Sequence, residues 1–179
     1  QGVLMTRGGG FTLLELIVVV TIMGILLASA TPAMQDLLLD ARRTRVLNEI
    51  LRALHVARAQ SVRSGQEVVL CPRGSGEGCD GDGWHRGWLV FINDDGDQPA
   101  HLDDGERVIL RYLLDEQATI DANRSRFVYR PNLRRTSAGT FVYRDRRGPA
   151  STRAVIVSHT GRPRVASQAA SGNQLACPG

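Results

Sequence analysis

The stretch Gly8-Gly9-Gly10-Phe11-Thr12-Leu13-Leu14-Glu15-Leu16-Ile17, continued by VVVTIMGILLASATPAM to Met34, decides how this chain is read. From Leu16 to Met34 there are 19 residues without a charge. As a helix they cover about 29 Å, close to the ~30 Å hydrocarbon core of a bilayer. Glu15 stands just ahead of them, behind the apolar Phe11, Leu13 and Leu14. A carboxylate in an apolar stretch is costly in lipid and marks function. Arg7 favours a cytoplasmic N-terminal side. Three readings compete: a cleaved signal peptide, a plain anchor, and a segment cut ahead of the apolar run so that the run is kept. Ala28-Ser29-Ala30 fits a signal-peptidase site, but Glu15 argues against an ordinary signal peptide.

Outward from this stretch, helical spacing persists through Leu37, Leu38, Ala41, Leu47, Ile50, Leu51, Leu54 and Ala57, and ends near Ser64-Gly65. One helix from Phe11 to Arg63 has 53 residues and would run about 80 Å. Its second half, 36–64, is amphipathic and needs a sheet to cover it. Beyond Gly65 the pattern turns to short β-like runs separated by Gly-, Asp-, Asn- and Ser-rich turns. Strands are predicted at Glu67–Cys71, Gly87–Ile92, Arg107–Leu113, Arg126–Tyr129, Thr140–Tyr143 and Arg153–Ser158, with a short last one at Arg164–Ala166. The expected class is α+β: a long N-terminal helix packed on an antiparallel β-sheet or β-sandwich head spanning 65–179.

The glycine, phenylalanine and glutamate spacing resembles the class III signal of type IV pilins and pseudopilins, and this favours the third reading. The resemblance implies a leader of residues 1–10, cutting between Gly10 and Phe11 by prepilin peptidase, and N-methylation of Phe11. Residues 11–35 would then lie in the inner membrane and later in a filament core, with Pro32 at the usual kink position. The head would lie in the periplasm, then on a pilus at the cell surface. The implied partner of Glu15 is the freed α-amino group of a neighbouring pilin. Such a pair gives register more than stability. Val69-Leu70-Cys71-Pro72, Cys79, Trp84 and Gly87-Trp88-Leu89-Val90-Phe91-Ile92-Asn93 resemble the GspH/FimT branch.

Length and composition bound the rest. The chain has 179 residues, 42% hydrophobic and 5% aromatic, with three cysteines, which excludes a largely disordered chain and a Cys-rich scaffold. Cys71 and Cys79 enclose a Gly-rich loop outside the cytoplasm by the topology above, and a disulfide between them is favoured. Cys177 is then odd, its fate open between a free thiol, an interchain bond and displacement of another cysteine. No cofactor is called for. The Asp94–Asp97 loop, with Asp103, Asp104 and Glu106, faintly resembles a calcium loop, but turns favour the same residues. His55, His85, His101 and His159 are scattered, no catalytic motif occurs, and an enzyme is disfavoured.

All 22 basic residues are Arg, and their balance is uneven. Residues 1–122 hold 11 Arg and 17 acids, net −6; residues 123–179 hold 11 Arg and one acid, Asp145, net +10. Permanently charged, planar guanidinium groups suit phosphate. The candidate contacts are Arg134, Arg135, Arg144, Arg146, Arg147, Arg153, Arg162 and Arg164, with Gly161. Gly161-Arg162-Pro163-Arg164 resembles the DNA-binding motif of FimT-type minor pilins and implies capture of extracellular double-stranded DNA in natural transformation. The alternative is a GspH-like pseudopilin of a type II secretion system with a structural role and no DNA binding. In either case Glu15→Ala is expected to leave the head's thermal unfolding unchanged while removing the subunit from sheared filaments. A variant head that unfolds would count against this assembly role.

Overall fold

The computed structural model describes residues 12–74, 78–79, 83–114, 119–132 and 136–168. Helix α1 spans Leu13–Ser64. Thr12 caps it: its Oγ1 accepts from Glu15 N at 3.2 Å, and its carbonyl accepts from Leu16 N at 3.2 Å. The Thr-x-x-Glu spacing is a capping signature, and it sets Glu15 in the first turn, where the helix dipole favours a carboxylate.

The chain divides into two compact units, Gln1–Ala41 and Arg42–Gly179. The described part of the first is helix with exposed apolar side chains, from Leu13 and Leu14 to Leu37 and Leu38. It contains the segment of α1 long and apolar enough to cross a membrane. Pro32 lies inside the helix and cannot donate to the preceding turn. Nearby, Ser29 and Thr31 return their hydroxyls to Leu26 O and Leu27 O, both at 2.9 Å. Side-chain hydroxyls are thus satisfied within the helix itself.

The second unit is the head, and its core lies within it. Val46, Leu47, Ile50, Ala53, Leu54, Ala57, Gln60 and Ser61 form a buried stripe at three- and four-residue spacing. Gly65, at φ +71°, stops the helix in the left-handed conformation, with its N–H donating to Ser61 O at 3.1 Å.

Two antiparallel four-stranded sheets follow. The first contains β1 (Glu67–Pro72), β2 (Gly87–Asn93), β3 (Val108–Leu113) and β5 (Phe127–Tyr129), ordered β3-β2-β1-β5. The second contains β4 (Thr119–Ala122), β6 (Gly139–Arg144), β7 (Arg153–Val157) and β8 (Pro163–Ala166), ordered β4-β6-β7-β8. One cluster joins the helix stripe to Val68, Leu70, Trp88, Val90 and Ile92 of the first sheet and to Phe141, Tyr143, Val155 and Val157 of the second. Trp84 knits them together: its ring lies 4.7 Å from Phe141 and 5.9 Å from Phe127, while the two phenylalanines stack at 4.6 Å.

The other face of the first sheet is also covered. Val69, Cys71, Leu89, Phe91 and Val128 pack with Cys79 and Ala100. This is why Gly87–Asn93 reads as an unbroken apolar run: every residue of β2 is buried. The Cys71–Cys79 disulfide forms, with Cα atoms 5.6 Å apart. Cys177 lies outside the described residues.

The sequence pattern predicts seven strands, and the described residues form eight. The addition is β4, Thr-Ile-Asp-Ala, too short and too polar to stand out, yet alternating: Ile120 is buried and pairs opposite Tyr143. The helix ends at Ser64, where the Ser64-Gly65 signal sets it, and each of the seven predicted strands shifts by one residue at one or both ends.

Candidate nucleic-acid interface

Which arginines of the basic region are available is decided by their partners. Arg124 donates to Ala138 O at 3.2 Å, Arg126 to Ala100 O, and Arg130 pairs with Glu67 at 2.9 Å. Arg144 pairs with Asp121 at 3.2 Å, across the β4–β6 ladder. Arg147 grips Asp145 with two nitrogens, Nε to Oδ1 at 3.1 Å and Nη2 to Oδ2 at 2.7 Å. Arg153 donates to the carbonyls of Ala150 and Thr152 at 3.2 and 2.8 Å. Arg146 is exposed and is also engaged. Among the described residues of this region, only Arg162 and Arg164 have guanidinium groups with no hydrogen bond or ion pair, and both are exposed. Arg134 and Arg135 lie outside the described residues, as do Gly10 and Phe11.

Asp145 is a structural acid. Its carboxylate takes both Arg147 nitrogens, Arg147 N at 3.0 Å and the Ser151 hydroxyl at 2.9 Å. The Arg147 side chain holds its pKa down at about 2, against burial, which pushes upward. A carboxylate depressed in the fold stabilises above its ordinary value near 3.8 and loses that contribution as pH falls toward 2.

Arg162 and Arg164 flank Pro163 at the start of β8, the edge strand of the second sheet. Arg164 pairs opposite Ile156, and Ser158 N donates to Arg162 O at 3.1 Å, which continues the same register. The two arginines therefore occupy alternate positions on one side of the strand, about 7 Å apart along it. Pro163 falls at the intervening position, where an edge strand points its N–H away from its neighbour, so its missing donor costs no ladder bond.

The turn Ser158–Arg162 joins β7 to β8. Gly161 N donates to Ser158 O at 2.8 Å, Arg162 N to Ser158 Oγ at 3.2 Å, and the Ser158 and Thr160 hydroxyls meet at 2.9 Å. Gly161 is buried at φ +71°, and an added Cβ would come within 2.7 Å of the Tyr129 ring and 2.8 Å of the Thr136 methyl. Two residues outside the predicted set also reach this turn. Tyr129 OH donates to Gly161 O at 3.2 Å, and Arg58 of α1 to Thr160 O at 3.1 Å.

The acidic loop resolves into turn chemistry. Glu106 accepts from Asp94 N at 2.8 Å and Asp103 N at 3.1 Å; Asp97 accepts from His101 N at 3.0 Å; Asp95 accepts from Asp97 N at 3.0 Å. Asp95, Asp97 and Asp103 each bring an oxygen within 4.8 Å of the others.

The family model for the type II transport protein GspH matches residues 46–161, well over half of the chain. The chain belongs to the GspH/FimT family of minor pilins and pseudopilins. The model for the prokaryotic N-terminal methylation motif matches residues 5–31. The GspH match ends at Gly161, so Arg162 and Arg164 lie beyond it. A fimbrial protein of Pseudomonas aeruginosa is 43% identical over 60 residues, 34% of this chain and 38% of that protein. Fimbrial protein Q of Moraxella bovis is 51% identical over 41 residues, 23% and 26% of the two chains. The chain thus spans less than half the length of these curated relatives. The type IV minor pilin FimU of Pseudomonas aeruginosa, in two crystal forms, superposes with a TM-score of 0.49 at 13% identity, covering 66% of this chain and 88% and 84% of the FimU chains.

Two outcomes are expected of this GspH/FimT-family head. Gly161→Ala should destabilise it by about 3 kcal/mol, combining a left-handed conformation with crowding; thermal unfolding at the wild-type temperature would show that the turn has room. Asp145→Asn should lower stability at pH 7, with the difference from wild type shrinking as pH falls from about 4 toward 2. A difference that stays constant over that range would exclude the Arg147–Asp145 pairing as its source.

Proposed function

We propose that this chain is a FimT-branch minor type IV pilin whose head binds extracellular double-stranded DNA without sequence preference, in support of DNA uptake and of pilus assembly. The observation carrying this reading is the adjacent pair Arg162 and Arg164, unpartnered among the described residues and presented on one side of an edge strand. The two acids of residues 119–168 are both matched by arginines, Asp145 by Arg147 and Asp121 by Arg144. The second sheet and its loops therefore set little unmatched negative charge against a phosphate. Phosphate contacts of this kind position a duplex but read no bases, so binding is non-specific and salt-sensitive. Arg146 and Arg153, with the charges of Arg134 and Arg135, add to the attracting field, whereas Arg144 and Arg147 are offset by Asp121 and Asp145.

The N-terminal part supplies delivery. Cutting between Gly10 and Phe11 by prepilin peptidase leaves an apolar helix for the inner membrane. Glu15 in its first turn then pairs with a neighbouring pilin during assembly. Binding and assembly account for every residue invoked, and no catalytic step is part of this reading. The second reading, a GspH-like pseudopilin of a type II secretion system, draws support from the name of the matching family model. It invokes the same helix and head and no nucleic acid.

A salt-titrated gel shift with residues 36–179 separates the two. The core lies within Arg42–Gly179, so this fragment keeps it whole. Wild type is expected to bind mixed-sequence duplex at low salt. Arg162→Gln with Arg164→Gln is expected to weaken binding and to flatten the log–log salt slope by about 2, one unit for each phosphate no longer neutralised. Absence of wild-type binding at low salt sinks the DNA reading and leaves the structural one. Intact affinity in the double variant moves the site elsewhere.

A further inference from the structure

The turn that presents Arg162 and Arg164 is held from outside its own hairpin. Its internal bonds, Gly161 N to Ser158 O and Ser158 N to Arg162 O, close the loop but do not fix its direction against the head. Direction comes from three contacts on two consecutive residues. Tyr129 OH, on β5 of the first sheet, donates to Gly161 O. Arg58, on α1, donates to Thr160 O. The Gly161 Cα packs where the Tyr129 ring and Thr136 methyl leave no space for a side chain.

We propose that Tyr129 and Arg58 are positioning residues for the arginine pair, clamping the Thr160–Gly161 backbone so that Arg162 and Arg164 meet a phosphate backbone together. This rests on the DNA-binding reading above. β8 has four residues and is bonded on one side, so without the clamp its first residues are the ones to fray. A frayed start would carry Arg162 away from Arg164, and binding would have to reorder it, at a loss of affinity. Tyr129 is itself fixed: Ser61 Oγ of α1 lies 3.0 Å from Tyr129 O, and its side chain is fully buried. Burial pushes the Tyr129 hydroxyl well above its ordinary value, only partly offset by Arg58, so it stays a neutral donor over the working pH range.

The test uses the full chain in detergent micelles and a mixed-sequence DNA duplex, followed by fluorescence anisotropy across salt. Tyr129→Phe and Arg58→Gln are each made in the wild type and in Arg162→Gln/Arg164→Gln, with Arg58→Lys as the conservative variant. Each clamp variant is expected to weaken binding about fivefold in the wild-type background, the scale of one missing hydrogen bond. It should flatten the salt slope and speed amide exchange at Gly161. In the arginine-less background the same changes should add nothing, and Arg58→Lys should recover part of the affinity. A general loss of stability would instead lower affinity equally in both backgrounds, and that result overturns the proposal. So does unchanged affinity and slope in both clamp variants while the arginine double variant loses binding; the DNA reading then stands alone. If wild type binds no duplex at low salt, the DNA reading and the clamp fall together.

Discussion

The stripe from Val46 to Ser61 on α1 is the constraint that the head is built around. Each large apolar member, Ile50 or Leu54, contributes about 2 kcal/mol only when it is removed from water. One four-stranded sheet with a short β5 at its edge cannot close over it. The second sheet brings Phe141, Tyr143, Val155 and Val157, and Trp84 fills the seam between the two. The same stretch of helix also carries the polar anchors, Ser61 toward Tyr129 O and Arg58 toward Thr160 O. Helix burial and hairpin placement are thus set by one element.

The helix and most strands are legible because their patterns are local. Three- and four-residue spacing marks the stripe, and Gly65 marks its end. The apolar run of β2 is visible because both of its faces are buried. β4 escapes because a four-residue strand with Asp121 in it carries too little apolar signal, and only its partner β6 gives it meaning. The pairing of Cys71 with Cys79 is readable from eight residues' separation and loop composition. Arg58 and Tyr129 are not readable as neighbours of the turn, since they lie 102 and 32 residues from the carbonyls they bind.

Net charge marks a candidate region of the chain and overstates the surface available there. The +10 of residues 123–179 counts guanidinium groups without regard to what they face. Arg144 and Arg147 are committed to Asp121 and Asp145, and Arg124, Arg126 and Arg153 to carbonyls. These contacts stabilise loops and a sheet edge, which sequence charge cannot distinguish from a binding face. Geometry separates the two uses, and it reduces the described candidates to the pair around Pro163.

Gly161 shows why a motif position can be required for a reason other than the chemistry of its neighbours. Nothing about phosphate demands a glycine. The demand comes from behind: a left-handed backbone, a tyrosine ring and a threonine methyl where a Cβ would sit. A side chain there would push the turn off Tyr129 and carry the start of β8 with it. Gly-Arg-x-Arg therefore has two parts. The glycine lets the turn seat against the core, and the alternation of an extended strand then delivers both arginines to one side. The spacing of the motif follows from the strand repeat, and its first residue from the packing beneath it.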